Sequence, residues 1–385
     1  MKTPCYIINQ NELDASLCGF KNALTNHFSQ FIPSYSVKTN SLPYLLKKAK
    51  DAGYFAEVVS EDEYELALEC GFSKNHIIYN GPLKSKETFF DSINNGALIN
   101  IETRREIEWL RELDIKREYK VGLRMNINIS QISPADENHP DDNSRFGFSC
   151  ESGDFDKAVE LINSLPNVRL NRIHIHRTSR TRSVDFYCNL VRYAMSELNK
   201  RCINVEYVDI GGGYFGIMSG KPTYEEYASA ISKTLKQYID LDTTTIIVEP
   251  GNAIVASCFD FMASVIDVKQ HDNAYYVTID GSRIDVDPFF HKERYFNEFI
   301  YQDSRLSQTV DTQVVGGCTC LEYDRLMLLK DRPLLQVGDM IRFMRVGAYT
   351  MTLTPLFIRY WPIVYVDNGN DLLCVREKWN AKKLI

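Results

Sequence analysis

The 385-residue chain lacks any stretch near the roughly 20 consecutive apolar residues that cross a bilayer. Residues 1–5 do not begin an apolar segment of the secretory type. No Lys/Arg-rich block is present and the formal net charge is -7, so the electrostatic footprint of a nucleic-acid-binding protein is missing. Ten scattered cysteines do not make a disulfide scaffold at this length. We therefore expect a reduced, cytoplasmic protein without nucleic-acid or membrane partners.

The first large part of the chain alternates short apolar or β-branched runs with amphipathic helical segments. Strand-like runs begin at eight places, which are residues 34–37, 56–59, 76–79, 98–101, 120–125, 172–176, 206–210 and 245–249. Apolar positions recur at three- and four-residue spacing between them, in residues 42–52, 61–70, 104–113, 155–164, 184–200 and 224–239. Alternation of this kind is typical of parallel strands joined by crossover helices. Eight such units predict an α/β fold, a (β/α)8 barrel.

The sequence changes character after residue 255. Strand-like runs at 261–268, 275–280, 340–344 and 363–366 are separated by turn-rich loops, which predicts a mostly antiparallel β domain. Residues 5–8 are also strand-like and are expected to join that domain. The predicted division is residues 1–25 for the N-terminal strand, 26–255 for the barrel and 256–385 for the C-terminal β domain. The polar, proline-containing residues 133–144 predict a mobile surface loop.

Polar residues cluster where the predicted barrel strands end. Lys38 ends the first strand, His176 the sixth and Glu249 the eighth, and Gly211, Gly212 and Gly213 follow the seventh. Each has an ordinary explanation by itself: a solvated lysine, a core histidine, a buried salt bridge or a tight turn. In a barrel, however, the carboxyl ends of the strands meet at one mouth, where catalytic residues are found. Their shared position predicts an active site.

These residue types match what pyridoxal 5'-phosphate requires of a protein. The cofactor needs a lysine for a Schiff base, a phosphate cradle, a partner for the pyridine nitrogen and a group against the ring face. Lys38 and Glu249 suit the first and third requirements, and glycines let backbone N–H groups approach a phosphate closely. His176 and the nearby Ser179 suit the ring face and the phosphate. The sequence thus predicts a pyridoxal phosphate site.

A second cluster lies in the predicted β domain. Cys318 and Cys320 are one residue apart, but no second Cys/His pair stands at ligand spacing, so we predict no metal site. A thiol can instead deliver a proton to a carbanion. Tyr349 supplies a phenol that can reach a phosphate oxygen, or is an ordinary core tyrosine.

These motifs resemble, in order, those of fold-type III pyridoxal-phosphate decarboxylases, the diaminopimelate, ornithine and arginine decarboxylase group, which is related in fold to alanine racemase. The resemblance rests on residues 35–40, Ser60 with Glu63, and residues 144–147, 174–179, 209–213, 249–251, 320–324 and 347–349. It implies an obligate head-to-tail homodimer in which Cys320 completes the partner's site. The cofactor-binding residues that it implies are Lys38, His176, Ser179, Gly211, Gly212, Gly213, Glu249, Gly251 and Tyr349.

The chain departs from diaminopimelate decarboxylases at the substrate-recognition positions. Leu321 and only then Glu322 follow Cys320, where those enzymes have a carboxylate directly after the cysteine. Asn252 stands where they have arginine, and Asp287 and His291 align with an arginine and a tyrosine that clamp the distal carboxylate. These departures disfavour meso-diaminopimelate as the substrate.

Two arginines flank the stacking motif and change the charge expected at the mouth. Arg177 and Arg180 lie on either side of Thr178, where a glycine is usual. They make an anionic or larger substrate plausible, such as the carboxylate-rich amino-acid conjugates of siderophore pathways, although both also fit solvated loop positions.

The resulting prediction is decarboxylation of an amino acid through an external aldimine and a quinonoid that Cys320 protonates. An amino-acid racemase of the same fold is the first alternative, but such racemases pair the pyridine nitrogen with arginine rather than with a carboxylate such as Glu249. A non-catalytic regulatory homologue is the second alternative. The presence of Lys38 and Cys320 argues against it.

Overall fold

A computed structural model describes residues 1–137, 144–302 and 308–384. The strands, numbered along the chain, are β1 Cys5–Asn9, β2 Phe31–Ser36, β3 Phe55–Ser60, β4 Ile77–Leu83, β5 Leu98–Ile101, β6 Tyr119–Asn126, β7 Phe148–Ser149, β8 Val168–His174, β9 Tyr207–Asp209, β10 Thr245–Val248, β11 Phe259–His271, β12 Ala274–Ile279, β13 Phe296–Ile300, β14 Thr309–Gly316, β15 Arg325–Pro333, β16 Met340–Met344, β17 Ile363–Asp367 and β18 Leu372–Arg376. The helices are α1 Gln10–His27, α2 Pro43–Asp51, α3 Glu61–Glu69, α4 Lys86–Asn94, α5 Arg104–Leu110, α6 Ile129–Ile132, α7 Asp154–Asn163, α8 Val184–Lys200, α9 Tyr224–Leu235, α10 Asn252–Val255, α11 Arg283–Val286 and α12 Ala381–Leu384.

The chain forms two compact units. One comprises Ser16–Ala253, and the other combines Met1–Ala15 with Ile254–Ile385. The first boundary lies within α1, earlier than the residue 25 used in the sequence-based division, because most of this helix packs with the larger unit. Within the described residues, no helix has the length and apolar content that crossing a membrane requires.

The larger unit is a closed parallel barrel. Its strands pair in the order β5-β4-β3-β2-β10-β9-β8-β6, and pairing of β5 with β6 closes the ring. Every one of these pairings is parallel. The strands are those expected from the eight strand-like runs, so the predicted (β/α)8 barrel is confirmed.

Local sequence explains where the barrel helices begin. Five of them start after a Ser or Thr whose side chain accepts a hydrogen bond from a backbone N–H in the first turn: Ser60, Ser85, Thr103, Ser183 and Thr223. A cap of this kind stabilises a helix by about 1 kcal/mol. The caps of α3 and α5 lie at or just beyond the ends of β3 and β5. At both places the chain therefore passes directly from a strand into a helix, and the strand ends remain around the mouth of the barrel.

The smaller unit is built on a nine-stranded, mostly antiparallel sheet. β1 lies in its middle, antiparallel to β11 and parallel to β17. The only other parallel pairing among the described strands of this sheet joins β12 to β14. The predicted β domain and its N-terminal strand are therefore confirmed.

Candidate active site

Lys38 lies in a single 3-10 turn, Val37–Thr39, immediately after β2. Its Nζ is 2.5 Å from Glu57 Oε2 and 2.9 Å from Ser36 Oγ. Ser36 and Glu57 are direct partners in the β2–β3 register, which explains why the turn brings the ammonium to this carboxylate. Glu57 was not among the residues predicted from the sequence. The available signal was a carboxylate within an apolar strand, which is costly unless it is paired.

Glu249 follows β10 and is 2% exposed. Its Oε1 accepts a hydrogen bond of 2.5 Å from Asn80 Nδ2, and its Oε2 is 3.7 Å from His174 Nε2. Burial alone raises a carboxyl pKa, but the neighbouring His174 and the ammonium of Lys38 hold the pKa of Glu249 well below its ordinary value. Glu249 is therefore an anion at the bottom of the mouth.

Asp209, at the end of β9, lies beside Glu249 and interacts with its carboxylate. Burial first and then the charge of Glu249 raise the pKa of Asp209 well above its ordinary value, so Asp209 is the protonated member of the pair. His174, Asp209 and Glu249 offer oxygen and nitrogen atoms within 4.8 Å of one another, a spacing that also suits a metal ion. A carboxyl must lose its proton to bind a metal ion, so the raised pKa of Asp209 weakens it as a metal ligand.

His176 follows β8 by two residues. Its Nδ1 accepts a hydrogen bond of 3.2 Å from Gly212 N, and Arg124 Nη2 donates to its carbonyl oxygen at 3.2 Å. Desolvation, and then the charge of Arg124, lower the pKa of His176 well below its ordinary value. The imidazole is thus neutral, and its ring is held nearly parallel to that of His174, with 9° between the planes.

The glycines after β9 let the loop press against two of these residues. A Cβ on Gly211 would lie 2.4 Å from the Cβ of His176, and one on Gly212 would lie 2.1 Å from the carbonyl oxygen of Glu249. Gly211 also has φ +77°, a conformation that favours glycine. Its N–H donates to Asp209 Oδ1 at 3.1 Å, while that of Gly212 donates to His176. Two of the three predicted phosphate donors therefore already have partners inside the protein.

Two further glycine positions confirm how tightly the mouth is built. Gly213 has φ +97°, and a Cβ there would be 3.1 Å from the Tyr187 hydroxyl. A Cβ on Gly251 would be 2.0 Å from Thr39 Oγ1, so this glycine allows the chain after β10 to pass close to the turn that carries Lys38.

Ser179 is hydrogen-bonded to Asp136. Its hydroxyl donates to Asp136 Oδ1 at 2.5 Å and accepts from Arg182 N at 2.6 Å. Asp136 is 1% exposed and also accepts from the backbone and side chain of Thr181, so the prediction of a surface loop was wrong at this residue. The part of that loop at 138–143 lies outside the described residues. A contact of Ser179 with phosphate stays a prediction and requires its hydroxyl to turn away from Asp136.

The neighbouring arginines differ in exposure. Arg177 is half-buried, whereas Arg180 is exposed and donates to the carbonyl oxygen of Ala135 at 2.8 Å. Asn252 Nδ2 donates to the carbonyl oxygen of Tyr214 at 3.2 Å. The predicted roles of Arg177 and Asn252 in substrate binding stay predictions.

The remaining predicted residues belong to the smaller unit. Cys320 is exposed and Cys318 is half-buried, in a loop that follows β14. Asp324 organises this loop by accepting from Thr319 Oγ1 at 2.6 Å and Arg283 N at 2.8 Å. Leu321 is half-buried and Glu322 is exposed in the same loop. Tyr349 has φ +54° and is also exposed.

Asp287 is 3% exposed, and its carboxylate is fully engaged by protein groups. Arg283 donates to it through Nε and Nη2, each at 3.0 Å, and the Tyr295 hydroxyl donates at 3.2 Å. The backbone N–H groups of His291 and Lys292 add bonds of 3.1 and 2.9 Å. The exposed ring of His291 packs on Phe289, with 5.6 Å between ring centroids.

The barrel residues fit an aldehyde cofactor with a basic ring nitrogen. The mouth holds a lysine amine, an anionic carboxylate and a neutral imidazole within one set of strand ends. Both ring nitrogens of buried His174 lack a hydrogen-bond partner among the described residues, so they can still form hydrogen bonds beside Glu249. The fold and the site together define the class of (β/α)8-barrel enzymes whose cofactor is linked to a lysine.

Comparison with known proteins identifies the family. The model described as "Pyridoxal-dependent decarboxylase, pyridoxal binding domain" matches residues 15–256. The chain therefore belongs to the pyridoxal-dependent decarboxylases, and is a pyridoxal-phosphate-dependent amino-acid decarboxylase of the diaminopimelate, ornithine and arginine decarboxylase group.

Individual relatives cover nearly the whole chain. Diaminopimelate decarboxylase of Aquifex aeolicus is 25% identical over 395 residues, covering 100% of this chain and 91% of the relative. The solved diaminopimelate decarboxylase of M. jannaschii matches with a TM-score of 0.85 and 23% identity, over 100% of this chain and 92% of that one. The arginine decarboxylase of Paramecium bursaria Chlorella virus, solved with agmatine, gives a TM-score of 0.77 at 20% identity, over 95% and 96% of the two chains. At these identities the two structures show the shared fold.

Proposed function

We propose that this decarboxylase removes the α-carboxylate of an amino acid other than meso-diaminopimelate. The observation that carries the substrate proposal is Asp287, a buried carboxylate held by Arg283 and Tyr295 at the position where the resemblance places an arginine. Asp287 cannot attract a second carboxylate. Arg283 is committed to Asp287, so this ion pair offers little net positive charge to a distal carboxylate.

The cofactor would be held by residues from several strand ends. Lys38 would bind its aldehyde carbon and Glu249 its pyridine nitrogen, while His176 would cover the ring face. The phosphate would meet the loop Gly211–Gly213, with Gly251, Ser179 and Tyr349 as further contacts. When bound, pyridoxal phosphate supplies an electron sink for the pair of electrons left on the substrate α-carbon.

The charge of Glu249 favours decarboxylation over racemisation. An ionised carboxylate stabilises a proton on the pyridine nitrogen, which keeps the sink strong. Glu249 has this charge because its neighbours lower its pKa. An arginine in the same place would repel that proton, and here Glu249 occupies the position.

Glu57 would accept the proton that the ammonium of Lys38 must lose. The lysine amine is a nucleophile only after its ammonium has lost a proton. Glu57 Oε2, 2.5 Å from Nζ, is placed to receive that proton, and Ser36 Oγ holds the amine from a second direction. His176 is neutral and hydrogen-bonded through Nδ1, so it acts by packing rather than as an acid. Cys320 would return a proton to the α-carbon after carbon dioxide leaves.

Leu321 and Asn252 add to the case against meso-diaminopimelate. Leu321 offers no charge to a distal amine, and the amide of Asn252 already donates to the backbone at Tyr214. Each missing charge-assisted hydrogen bond costs about 1.5 to 3 kcal/mol of binding. An anionic tail directed towards Arg177 is the substrate feature that we propose instead. We also propose a homodimer in which Cys320 and its loop serve the partner's barrel.

The substrate proposal is tested by measuring carbon dioxide release from the holoenzyme. We expect kcat/KM for meso-diaminopimelate to lie far below that for an amino acid with an uncharged or purely anionic tail. Turnover of meso-diaminopimelate above about 10⁴ M⁻¹s⁻¹, a value ordinary for enzymes on their own substrates, contradicts the proposal. Asn252→Arg with Leu321→Asp is the matched reversal, which should raise the relative activity on meso-diaminopimelate. Racemisation of the substrate at its α-carbon without release of carbon dioxide would instead indicate a racemase.

A further inference from the structure

Asn80 connects the two carboxylates that serve opposite parts of the proposed site. It lies on β4 and is 2% exposed. Its Nδ2 donates to Glu249 Oε1 at 2.5 Å and to Glu57 Oε1 at 3.1 Å. A primary amide nitrogen has two N–H groups, so each carboxylate receives one of them.

The orientation of Asn80 is set by a chain of buried donors behind it. Arg172, 1% exposed, donates through Nε to Asn100 Oδ1 at 2.9 Å. Asn100 Nδ2 then donates to Asn80 Oδ1 at 2.7 Å and to Asp209 Oδ2 at 3.0 Å. Burial lowers the pKa of Arg172 to about 10, which still leaves it charged at neutral pH.

This chain has only one consistent direction. A guanidinium donates and never accepts, so Asn100 must turn its oxygen to Arg172 and its nitrogen to Asn80. Asn80 must then accept from Asn100 and direct both N–H groups at the carboxylates. In the opposite orientation, the amide oxygen of Asn80 would face the carboxylates of Glu249 and Glu57, and its amino group would face the amino group of Asn100.

The barrel leaves space for this network at Gly122 on β6. A Cβ there would lie 1.9 Å from Asn100 Oδ1 and 2.8 Å from Arg172 Nε. Any larger residue at this position would displace the bond that orients Asn100. The network is therefore tightly packed, and Asn80 is the member of it that contacts the two carboxylates of the site.

We propose that Asn80 is a positioning residue that holds Glu249 and Glu57, and through Glu57 the ammonium of Lys38, in one arrangement at the mouth. The inference rests on the proposed roles of Lys38 and Glu249. Because Asn80 binds both carboxylates, a change there alters both ends of the cofactor site together. Asn80 itself has no proton to exchange and takes no part in the chemistry.

The experiment uses Asn80→Ala and Asn80→Asp in the full-length chain. In apoprotein, acetylation of Lys38 by acetic anhydride is followed against pH by peptide mass spectrometry. Asn80→Asp adds a carboxylate beside Glu57, and we expect the Lys38 profile to move to higher pH by about one unit, a tenfold slower reaction at a given pH. For Asn80→Ala we expect the dissociation constant of pyridoxal phosphate to rise about tenfold, the effect of one lost charge-assisted bond.

Asn171 provides the matched control. It is a buried asparagine in the middle of β8 that donates at 3.2 Å to Oε2 of Glu206, the residue before β9, and it has no hydrogen bond to Asn80, Asn100 or Arg172 among the described residues. Asn171→Ala and Asn171→Asp should leave the Lys38 profile and cofactor affinity unchanged, whatever they do to stability.

Wild-type Lys38 profiles and cofactor affinity in folded Asn80 variants would overturn the proposal. If Asn80→Asp does not fold, Asn80→Ser is used in its place. The serine hydroxyl donates only one hydrogen bond, so an unchanged affinity for pyridoxal phosphate in that variant would also contradict the proposal. Failure of the proposed function is distinguishable, because covalent cofactor attachment surviving in Lys38→Ala contradicts the role of Lys38, while the acetylation profile in apoprotein still reports on Asn80.

Discussion

Glu63 should make the folded protein lose stability as the pH rises towards neutrality. It lies in the first turn of α3, behind the Ser60 cap, and accepts a hydrogen bond from Val59 N at 2.9 Å. Burial, and then the charge of Glu57, raise the pKa of Glu63 from 4.5 to about 7. Between these values the folded protein holds the proton more tightly than the unfolded chain does. The free energy of unfolding therefore falls as the pH rises from about 4.5 to about 7, and the fall stops above that range.

The magnitude follows from the displacement of the pKa. Each pKa unit corresponds to about 1.4 kcal/mol, so the full effect is about 3 kcal/mol. A glutamate in the first turn of a helix also gains from the helix dipole, but by no more than about 1 kcal/mol, which cannot reverse the sign. Glu63→Gln keeps an oxygen for Val59 N–H and removes the titration. This variant should match the wild type near pH 4.5 and be more stable by roughly 2 to 3 kcal/mol at pH 8.

The assay is equilibrium urea unfolding of apoprotein between pH 4.5 and 8, with the difference between variant and wild type as the measured quantity. Glu226→Gln is the control, because Glu226 has the same position behind the Thr223 cap of α9 but is exposed. Hydrogen bonds from Thr223 lower the pKa of Glu226, so any pH dependence there has the opposite sign. A difference for Glu63→Gln that stays constant across the pH range would refute the argument.

Three further results are expected from the residues that carry the proposed chemistry. Borohydride reduction of holoenzyme should attach the cofactor to Lys38, and a labelled peptide containing another lysine would contradict the assignment. Cys320→Ala should retain the cofactor while turnover falls by roughly 10²-fold or more, the scale of a missing general acid, whereas unchanged turnover would exclude that role. Mixing Lys38→Ala and Cys320→Ala subunits should restore up to about a quarter of wild-type sites, because one site of each heterodimer carries neither change. No recovery after verified subunit exchange would mean that each chain forms its site alone.

Much of the barrel could be predicted because its signals are local. Alternating apolar runs and helical periodicity mark strands and helices wherever they occur, and caps such as Ser60 and Thr103 mark helix starts. Lys38, His176 and Glu249 could be placed at the mouth because parallel strands present their carboxyl ends on one side. The expectation of a surface loop at Asp136 was wrong because its partners, Ser179 and Thr181, follow a different strand.

Sequence alone determined the strand and helix order, the polar residues at the strand ends and the motifs that indicate pyridoxal phosphate, since each depends on neighbours along the chain. Barrel closure decided which of these residues touch. Asn80 and Glu249 are 169 residues apart and meet only because β10 returns beside β2. The closed barrel also buries Glu249 and Asp209. Burial raises the pKa of Asp209, whereas His174 and Lys38 lower the pKa of Glu249 in spite of its burial. A charge state of this kind depends on burial and on partners from several strands, which only the folded structure brings together.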